Sequence, residues 1–391
     1  MRIIAHLDLD AFFAAVEERD KPRLKGRPIV IGADPEDGKG RGVVSTANYA
    51  ARKYGIHSAM PISHAWRLAK DAERQGQMPT IFLQGNHERY SEVSERVMKI
   101  IRSRVVCSDA LRHKSGRSEP RLYVGVEQAS VDEAYFDLTY TGDFIKAEYV
   151  CRKIKEDIRK KEKITASIGL ASNKLIAKIA SDMQKPDGLT IVTSDQAEKF
   201  LAPLPIRKIP GIGPKTGEFL KNRGIETISD VKQYSLEELQ DILGKPRRLQ
   251  SGSRPQKASG WGEDIYYKAR GIDNSPIVEE HEAKSIGQQE TFRNDTLDAG
   301  LMFDVLKEMS VKIEKELKHS GFGAFRTVTI SVRFSDFETK SRSHTLKEPS
   351  DGSDKIYTEA MKLFMPFFDK RENPQNKAIR LIGVRVEKLT K

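Results

Sequence analysis

Ile3-Ile4-Ala5-His6-Leu7-Asp8-Leu9-Asp10-Ala11-Phe12-Phe13-Ala14-Ala15-Val16-Glu17 changes character halfway along. Ile3 to Leu9 is a short apolar strand, and Ala11 to Arg19 is a helix-like run, so Asp8 falls where an apolar first strand is about to end. A second acidic corner follows far downstream. Val124, Val126, Ala129 and Val131 lead up to Asp132-Glu133, and Tyr135, Phe136 and Leu138 lead away, which is a hairpin pattern with an acid pair at its turn. Neighbouring side chains of a regular strand point to opposite faces, so Asp132 and Glu133 share one site only if the chain bends between them. Carboxylates gathered in this way suit phosphoryl transfer from a nucleotide, which asks a protein to hold divalent cations and position oxygens. Acid pairs are also common on surfaces, and the spacing alone does not choose between the two readings.

Composition narrows the field. The chain has 391 residues, 38% hydrophobic and 31% charged, enough to build several cores and unlike a disordered sequence. No apolar run approaches the roughly 20 residues of a membrane span, and no signal-peptide pattern precedes the first strand. Two cysteines, Cys107 and Cys151, are too few for a disulfide framework, so a reducing, cytoplasmic compartment is expected. The net charge of +11 suits a polyanionic partner. The stretch Lys245 to Gly260 holds Lys245, Arg247, Arg248, Arg254 and Lys257 with no acid, the texture of a flexible segment that tracks phosphates.

Outward from the two corners, the first part reads as mixed α/β. Pro28 to Gly32 is a short strand, Asp34 to Gly42 a turn-rich loop, and Thr46 to Tyr54 favours helix, with another helix starting at Pro61. Helical spacing covers His87 to Val105, Phe144 to Lys161 and Asn173 to Asp182, with a strand from Ile164 to Leu170. Asp71 to Met78 and Leu111 to Arg121 read as extra loops. Around Ile209 the texture changes to short helices and glycine turns. Beyond Ile277, Arg326 to Phe334 alternates strictly, placing Val328, Ile330, Val332 and Phe334 on a buried face and Thr327, Thr329, Ser331 and Arg333 on a wet one. Ile379 to Val386 is the closing strand of the same sheet.

The segment His6 to Glu17 resembles the opening motif of the Y-family DNA polymerases, and Ser130-Val131-Asp132-Glu133-Ala134-Tyr135 resembles their second metal motif. The likeness is closest to the DinB/kappa-like branch and runs nearly the whole chain. It implies an α+β multidomain fold, a right hand with palm, small fingers, a helical thumb and a C-terminal α/β little finger. The corresponding ranges are 1–22 and 76–194 for the palm, 23–75 for the fingers, 195–262 for the thumb, 263–282 for a linker and 283–391 for the little finger. It implies template-directed, low-fidelity translesion DNA synthesis by two-metal nucleotidyl transfer, with no segment left for a proofreading nuclease. By the same likeness Asp8, Asp132 and Glu133 are catalytic, and with the Leu9 carbonyl they ligate two Mg²⁺. Asp10 reads as structural.

The resemblance also assigns the nucleotide. Phe13 would lie under the sugar and clash with a 2′-hydroxyl; Phe12 beside it is the second aromatic of the nucleotide site, turned about 100° away on a helix. Thr46, Tyr49 and Arg52 look like the fingers motif that grips the phosphates, Arg offering a forked donor. Lys185 resembles the lysine that completes this clamp, whereas Lys178 reads as outward-facing or supporting. Ile209-Pro210-Gly211-Ile212-Gly213-Pro214-Lys215-Thr216 is a helix–hairpin–helix signature, with Gly211, Gly213, Lys215 and Thr216 meeting a DNA phosphate and Phe219, Leu220 and Ile225 packing behind. In the little finger, Ser285, Thr327, Thr329, Ser331 and Arg333 are the DNA candidates, on a domain of modest charge (20 basic against 17 acidic residues in 281–391).

The expected partners are primer–template DNA and deoxynucleoside triphosphates, for a monomer away from membranes. A sliding clamp is a further candidate partner, but no C-terminal clamp motif is present, and Met361 to Phe368 reads better as a packing helix. Two rivals remain in other classes: a nucleotidyl cyclase, which would need neither the hairpin motif nor the basic stretch, and a catalytically dead DNA-binding scaffold, against which the intact acids speak.

Overall fold

The structure, a computed structural model, describes residues 1–105, 125–244, 260–280 and 282–391. The expected insertion at 111–121, the basic stretch up to residue 259, Cys107 and Val124 lie outside the described residues. The chain divides into two compact units, one formed by Met1–Gly32, Val44–Ala59 and Leu68–Glu280, the other by Ala33–Val43, Met60–Arg67 and His281–Lys391. The expected fingers, 23–75, are thus shared between the two.

In the first unit the opening apolar run is strand β1 (Ile4–Leu9), and Ala11, in the left-handed region at φ 45°, turns the chain at once into helix α1 (Phe12–Asp20). Three short strands, β2 (Ile29–Gly32), β3 (Val44–Ala47) and β4 (Ile81–Leu83), make a small sheet in the order β3-β2-β4. The expected helix from Thr46 to Tyr54 is therefore mostly something else. Val44 to Ala47, rich in β-branched residues, pairs with β2, and only α2 (Tyr49–Arg52) is helical. Buried Asn48 makes the switch. Its Oδ1 accepts from the Ile29 and Ala51 amides at 3.0 Å each, while its Nδ2 donates to Glu18 Oε1 and the Arg27 carbonyl at 2.7 Å each. Helix α3 (Ile62–Arg74) takes in the first four residues of the supposed loop 71–78.

A five-stranded sheet carries the unit. Helix α4 (His87–Val105) precedes β5 (Val126–Gln128) and β6 (Glu133–Asp137); α5 (Phe144–Glu162) leads to β7 (Ala166–Ala171), and α6 (Lys174–Ser181) to β8 (Leu189–Val192). The order is β5-β6-β1-β7-β8, antiparallel except for the β7–β8 pair. β1 is central and covered on both faces, which is why it reads as a nearly continuous apolar run. Its two-residue period still sorts the side chains. Ile3, Ala5, Leu7 and Leu9 join the core with α4 and α5, whereas Ile4 joins the core with α6. His6 and Asp8 share the face of Ile4. Four short helices follow, α7 (Ala197–Leu201), α8 (Pro214–Lys221), α9 (Leu236–Leu243) and α10 (Trp261–Ala269). Ile265 and Ala269 of α10 are buried in one core with Leu239 of α9, so the supposed linker begins as a packed helix.

The second unit is a four-stranded antiparallel sheet with two helices. Along the chain run β9 (Ser285–Thr296), α11 (Ala299–His319), β10 (Phe325–Phe334), β11 (Thr339–Ser350), α12 (Ser353–Phe364) and β12 (Ile379–Glu387), and the strands lie in the order β11-β10-β12-β9. The last strand in sequence is interior rather than an edge. Because β10 is also interior, its polar face is less wet than alternation suggests: Thr327 and Thr329 are only 5% and 7% exposed. Thr327 Oγ1 meets Thr345 Oγ1 at 2.9 Å across the ladder. Phe364 and Phe367 are fully buried, which makes the aromatic end of 361–368 core.

Glu359 of α12 is 2% exposed, and its carboxylate takes Lys362 at 2.8 Å, His344 at 2.9 Å and Lys355 at 3.2 Å. The hydrogen bond from Lys362 leads the effects that hold its pKa at about 2, below the ordinary 4.5, against burial. A depressed carboxyl stabilises the fold above its unfolded pKa and stops doing so as pH falls through the folded one. Glu359→Gln should therefore cost about 1–3 kcal/mol near neutrality, and the difference from the parent, read by urea unfolding, should vanish between pH 4.5 and about 2.

Candidate active site

The two acidic corners meet through strand pairing. β1 and β6 are antiparallel with Asp8 opposite Glu133, and such partners have Cα atoms about 4.5–5.5 Å apart. The Leu9 amide donates to the Asp132 carbonyl at 3.0 Å, pinning the turn residue beside the strand end. Ser130 holds the bend that lets neighbouring acids share a site. Its hydroxyl donates to Asp132 Oδ1 at 2.6 Å and accepts from the amides of Asp132 and Glu133 at 3.3 and 3.1 Å.

Two lysines answer this charge. Lys185 Nζ lies 2.7 Å from Asp8 Oδ2 and 2.9 Å from Asp182 Oδ1, and Lys178 Nζ lies 2.6 Å from Glu133 Oε1. Lys178 is thus inside the site and not an outward residue of its helix. The available sign was its spacing from Lys174 by one turn of α6, since Lys174 in turn binds Glu127 on β5 at 2.7 Å. Burial raises the pKa of Asp8 above the ordinary carboxylate range, with Lys185 opposing and Glu133 and Asp132 adding to the rise. His6, on the same strand face, is fully buried and held neutral by burial and the nearby lysines; its Nδ1 meets Ser181 Oγ at 2.8 Å. Among the described residues no three His, Cys, Asp or Glu side chains close around one point as a dedicated metal cage. The donors nevertheless fit a hard divalent cation. They are carboxylate oxygens at one strand end, those of Asp8 and Glu133 already paired with ammonium groups, and Mg²⁺-type sites commonly complete themselves with substrate phosphates.

Phe13 and Phe12 part company as helical geometry requires. Phe12 is 2% exposed and belongs to the core, so its ring is not part of the nucleotide surface. Half-buried Phe13 stacks on Tyr90, with centroids 4.3 Å apart and planes at 13°, and meets His87 edge-on at 5.7 Å. Tyr90 is a support that helical periodicity hides among core residues. Its hydroxyl donates to Glu17 Oε1 at 2.8 Å. Thr46 lies in β3, ahead of the short helix that carries Tyr49 and Arg52. The Arg52 guanidinium sits 4.8 Å from the Tyr49 ring centre while its Nε donates to the Ala47 carbonyl at 2.9 Å. Asp10 is 3% exposed and accepts from Ser167 Oγ and the Asp187 amide at 2.8 Å each, with the Tyr49 hydroxyl at 3.5 Å. Burial and the Asp10 charge push the Tyr49 hydroxyl up to about 12, so it stays protonated.

At the hairpin motif, Gly211 has φ +100°, and Gly213, Lys215 and Gly211 are exposed around the start of α8. Leu220 and Ile225 are buried behind, but Phe219 is exposed and covered by Arg223 at 3.7 Å. In the second unit Ser285 is exposed and Ser331 and Arg333 half-buried, with Ser331 Oγ on Ser341 Oγ and Arg333 Nε on Thr339 Oγ1, both at 2.9 Å. Among the described residues no helix is long and apolar enough to cross a membrane.

Residues 7–182 match the impB/mucB/samB family, 194–225 the HHH motif of the IMS family and 283–391 the impB/mucB/samB C-terminal domain. DNA polymerase IV of Methanoculleus marisnigri is 38% identical over 99% of this chain and 94% of its own, and DNA polymerase IV 2 of Methanosarcina mazei is 39% identical over 99% and 92%. Among solved structures, a Y-family DNA polymerase chimera of Dbh and Dpo4 aligns with a TM-score of 0.80 at 28% identity, covering 99% of each chain. DinB from Sulfolobus solfataricus aligns at 0.59, also at 28% identity, covering 98% of each. The chain belongs to the Y-family of DNA polymerases, in its DinB branch. Members are DNA-directed DNA polymerases of translesion synthesis and share a general requirement for a divalent metal ion.

Tyr90→Ala should cost about 3–5 kcal/mol in thermal unfolding, since it empties a fully buried aromatic site. Tyr90→Phe keeps the stack and loses only the hydroxyl on Glu17, for about 1 kcal/mol.

Proposed function

We propose that Asp8, Asp132 and Glu133 form the catalytic centre of a template-directed DNA polymerase that joins deoxynucleotides to a primer end, and that the metal is Mg²⁺, two ions per site. The observation that carries this reading is the register of β1 on β6, which sets Asp8 opposite Glu133 with Asp132 in the adjoining turn. Asp8, Asp132, Glu133 and the Leu9 carbonyl are the groups that would hold the ions. When bound, they supply Lewis-acid activation of the primer 3′-oxygen and neutralise the leaving pyrophosphate.

The chain's own side chains do the rest. Lys185, Arg52, Tyr49 and Thr46 bind and orient the triphosphate; the first is 2.7 Å from the Asp8 carboxylate, so the charged phosphate end is drawn to the carboxylate rim. Lys178, from α6, holds the Glu133 side chain. Phe13, backed by Tyr90, sets the floor beneath the sugar and excludes a 2′-hydroxyl by contact. Gly211, Gly213, Lys215 and Thr216 take a DNA phosphate on the amides at the start of α8, and Ser285, Ser331 and Arg333 meet the duplex backbone without reading bases. Thr327 and Thr329 support that surface from within the sheet. The palm, fingers, thumb and little-finger ranges of the family are the proposed division of labour, and a monomer on primer–template DNA the working form.

Asp8→Ala or Asp132→Ala should abolish primer extension while duplex affinity, measured by anisotropy, changes less than about threefold. Normal extension by both variants would remove the assignment. Phe13→Ala should raise ribonucleotide incorporation by at least about tenfold, corresponding to roughly 1.4 kcal/mol of lost discrimination. Unchanged sugar selectivity would return the ring to a packing role.

A further inference from the structure

Lys185 acts from a turn, and that turn is held with unusual completeness. Asp187 has a left-handed φ of +56°, and a Cβ on Gly188 would fall 2.3 Å from the Gln184 carbonyl oxygen, so the backbone is compact here. The two peptide N–H groups are taken by the sheet side: Asp187 N donates to Asp10 Oδ2 at 2.8 Å and Gly188 N to Ser167 Oγ at 3.2 Å. The two carbonyls are taken from the helix side by Lys155 of α5, whose Nζ donates to Asp187 O at 2.5 Å and Gly188 O at 2.9 Å. The Gly188 carbonyl also accepts from Ile168 N at 3.0 Å in the ladder. A third oxygen, Asp187 Oδ1, lies 3.2 Å from the same ammonium group. An ammonium group has three donors, and Lys155 meets three oxygens of one turn.

This lysine is a quiet residue in sequence, one of several cations on a charged helix. Its side chain is nevertheless only 14% exposed, in contrast to Arg159 one turn on, which is 69% exposed and 3.5 Å from Asp187 Oδ2. A cation placed there against two backbone carbonyls, beyond a single surface carboxylate, fixes backbone position rather than adding a surface ion pair. We infer that Lys155 is a positioning residue for nucleotide binding, holding the 185–188 turn so that Lys185 presents its ammonium group beside Asp8. Its ammonium group meets oxygens of Asp187 and Gly188 and none of the proposed metal ligands, and it acts through the turn that carries Lys185. The inference rests on the proposed role of Lys185 in gripping the triphosphate.

Single-nucleotide incorporation under single-turnover conditions tests it, with Lys155→Met, Lys155→Arg, Lys185→Ala and the Lys155→Met/Lys185→Ala double variant. Lys155→Met should weaken the apparent affinity for the incoming nucleotide by about tenfold, the scale of a small misplacement of a binding group, with primer–template affinity unchanged. Lys155→Arg should restore most of the loss, and the double variant should be no weaker than Lys185→Ala. Multiplying effects in the double variant, or an unchanged nucleotide affinity in Lys155→Met, would overturn the inference. Lys155→Gln, which keeps two N–H donors but no charge, carries the same comparison if the methionine variant does not fold. Lys185→Ala is the separate control: normal nucleotide affinity in that variant alone refutes the role of Lys185 itself, and this inference with it.

Discussion

Everything at the carboxylate rim follows from one strand pairing. Asp8 and Glu133 are 125 positions apart in the chain and become neighbours because β6 runs antiparallel to β1 in a single register. Side chains alternate along a strand, so a slip of one residue would move Asp8 to the other face of the pairing and break the constellation. The register is protected by what lies on either side. The odd-numbered residues of β1 are locked into the core beneath α4 and α5, and the even-numbered ones face α6. A strand so fully committed on both faces leaves its acid nowhere else to go.

Charge balance is the second constraint. Three carboxylates near a buried strand end would repel one another and raise the cost of folding unless cations accompany them. Lys185 and Lys178 come from one segment, the first from a turn and the second from the helix before it, and each binds a different acid. Asp10 and Asp182 anchor the surroundings of Lys185, and Asp10 also reaches Tyr49 on α2. The carboxylate rim and Tyr49 are thus linked by one polar network built on β1 and the Lys185 turn.

Much of the fold is legible in the sequence because strong local patterns carry it: the apolar first strand, the glycine turn at Ile209–Thr216 and the alternating β10. The acids Asp8, Asp132 and Glu133 stand out only through the family resemblance, since their spacing alone suits a surface pair as well. The misreadings have physical reasons. Thr46–Tyr54 looks helical from Ala50, Ala51 and Arg52, yet pairing with β2 overrides propensity up to Ala47, and a single asparagine satisfies both elements. Thr327 and Thr329 obey the right period but lie under neighbouring strands, which period alone does not reveal. Tyr90 and Lys155 carry no sign of their contacts, and Lys178 reads as outward-facing or supporting, because their partners are far away in sequence. A lysine on a charged helix, or a tyrosine on an apolar stripe, gives no local sign of which distant atom it meets.

The interior place of β12 reaches beyond the folded state. This strand, residues 379–387, lies between β10 and β9, so both of those strands keep an unsatisfied edge until it arrives. On a ribosome the second unit therefore cannot close its sheet strand by strand as it emerges. Two rows of open backbone groups wait through the synthesis of α12 and the following loop, and such rows invite pairing with other chains. The first unit meets the same delay earlier, because central β1 keeps both edges open until β6 and β7 arrive, and β8 completes that sheet while about half the chain is still to come. The two sheets of this polymerase thus mature on different schedules, with one exposed interval early in translation and another late.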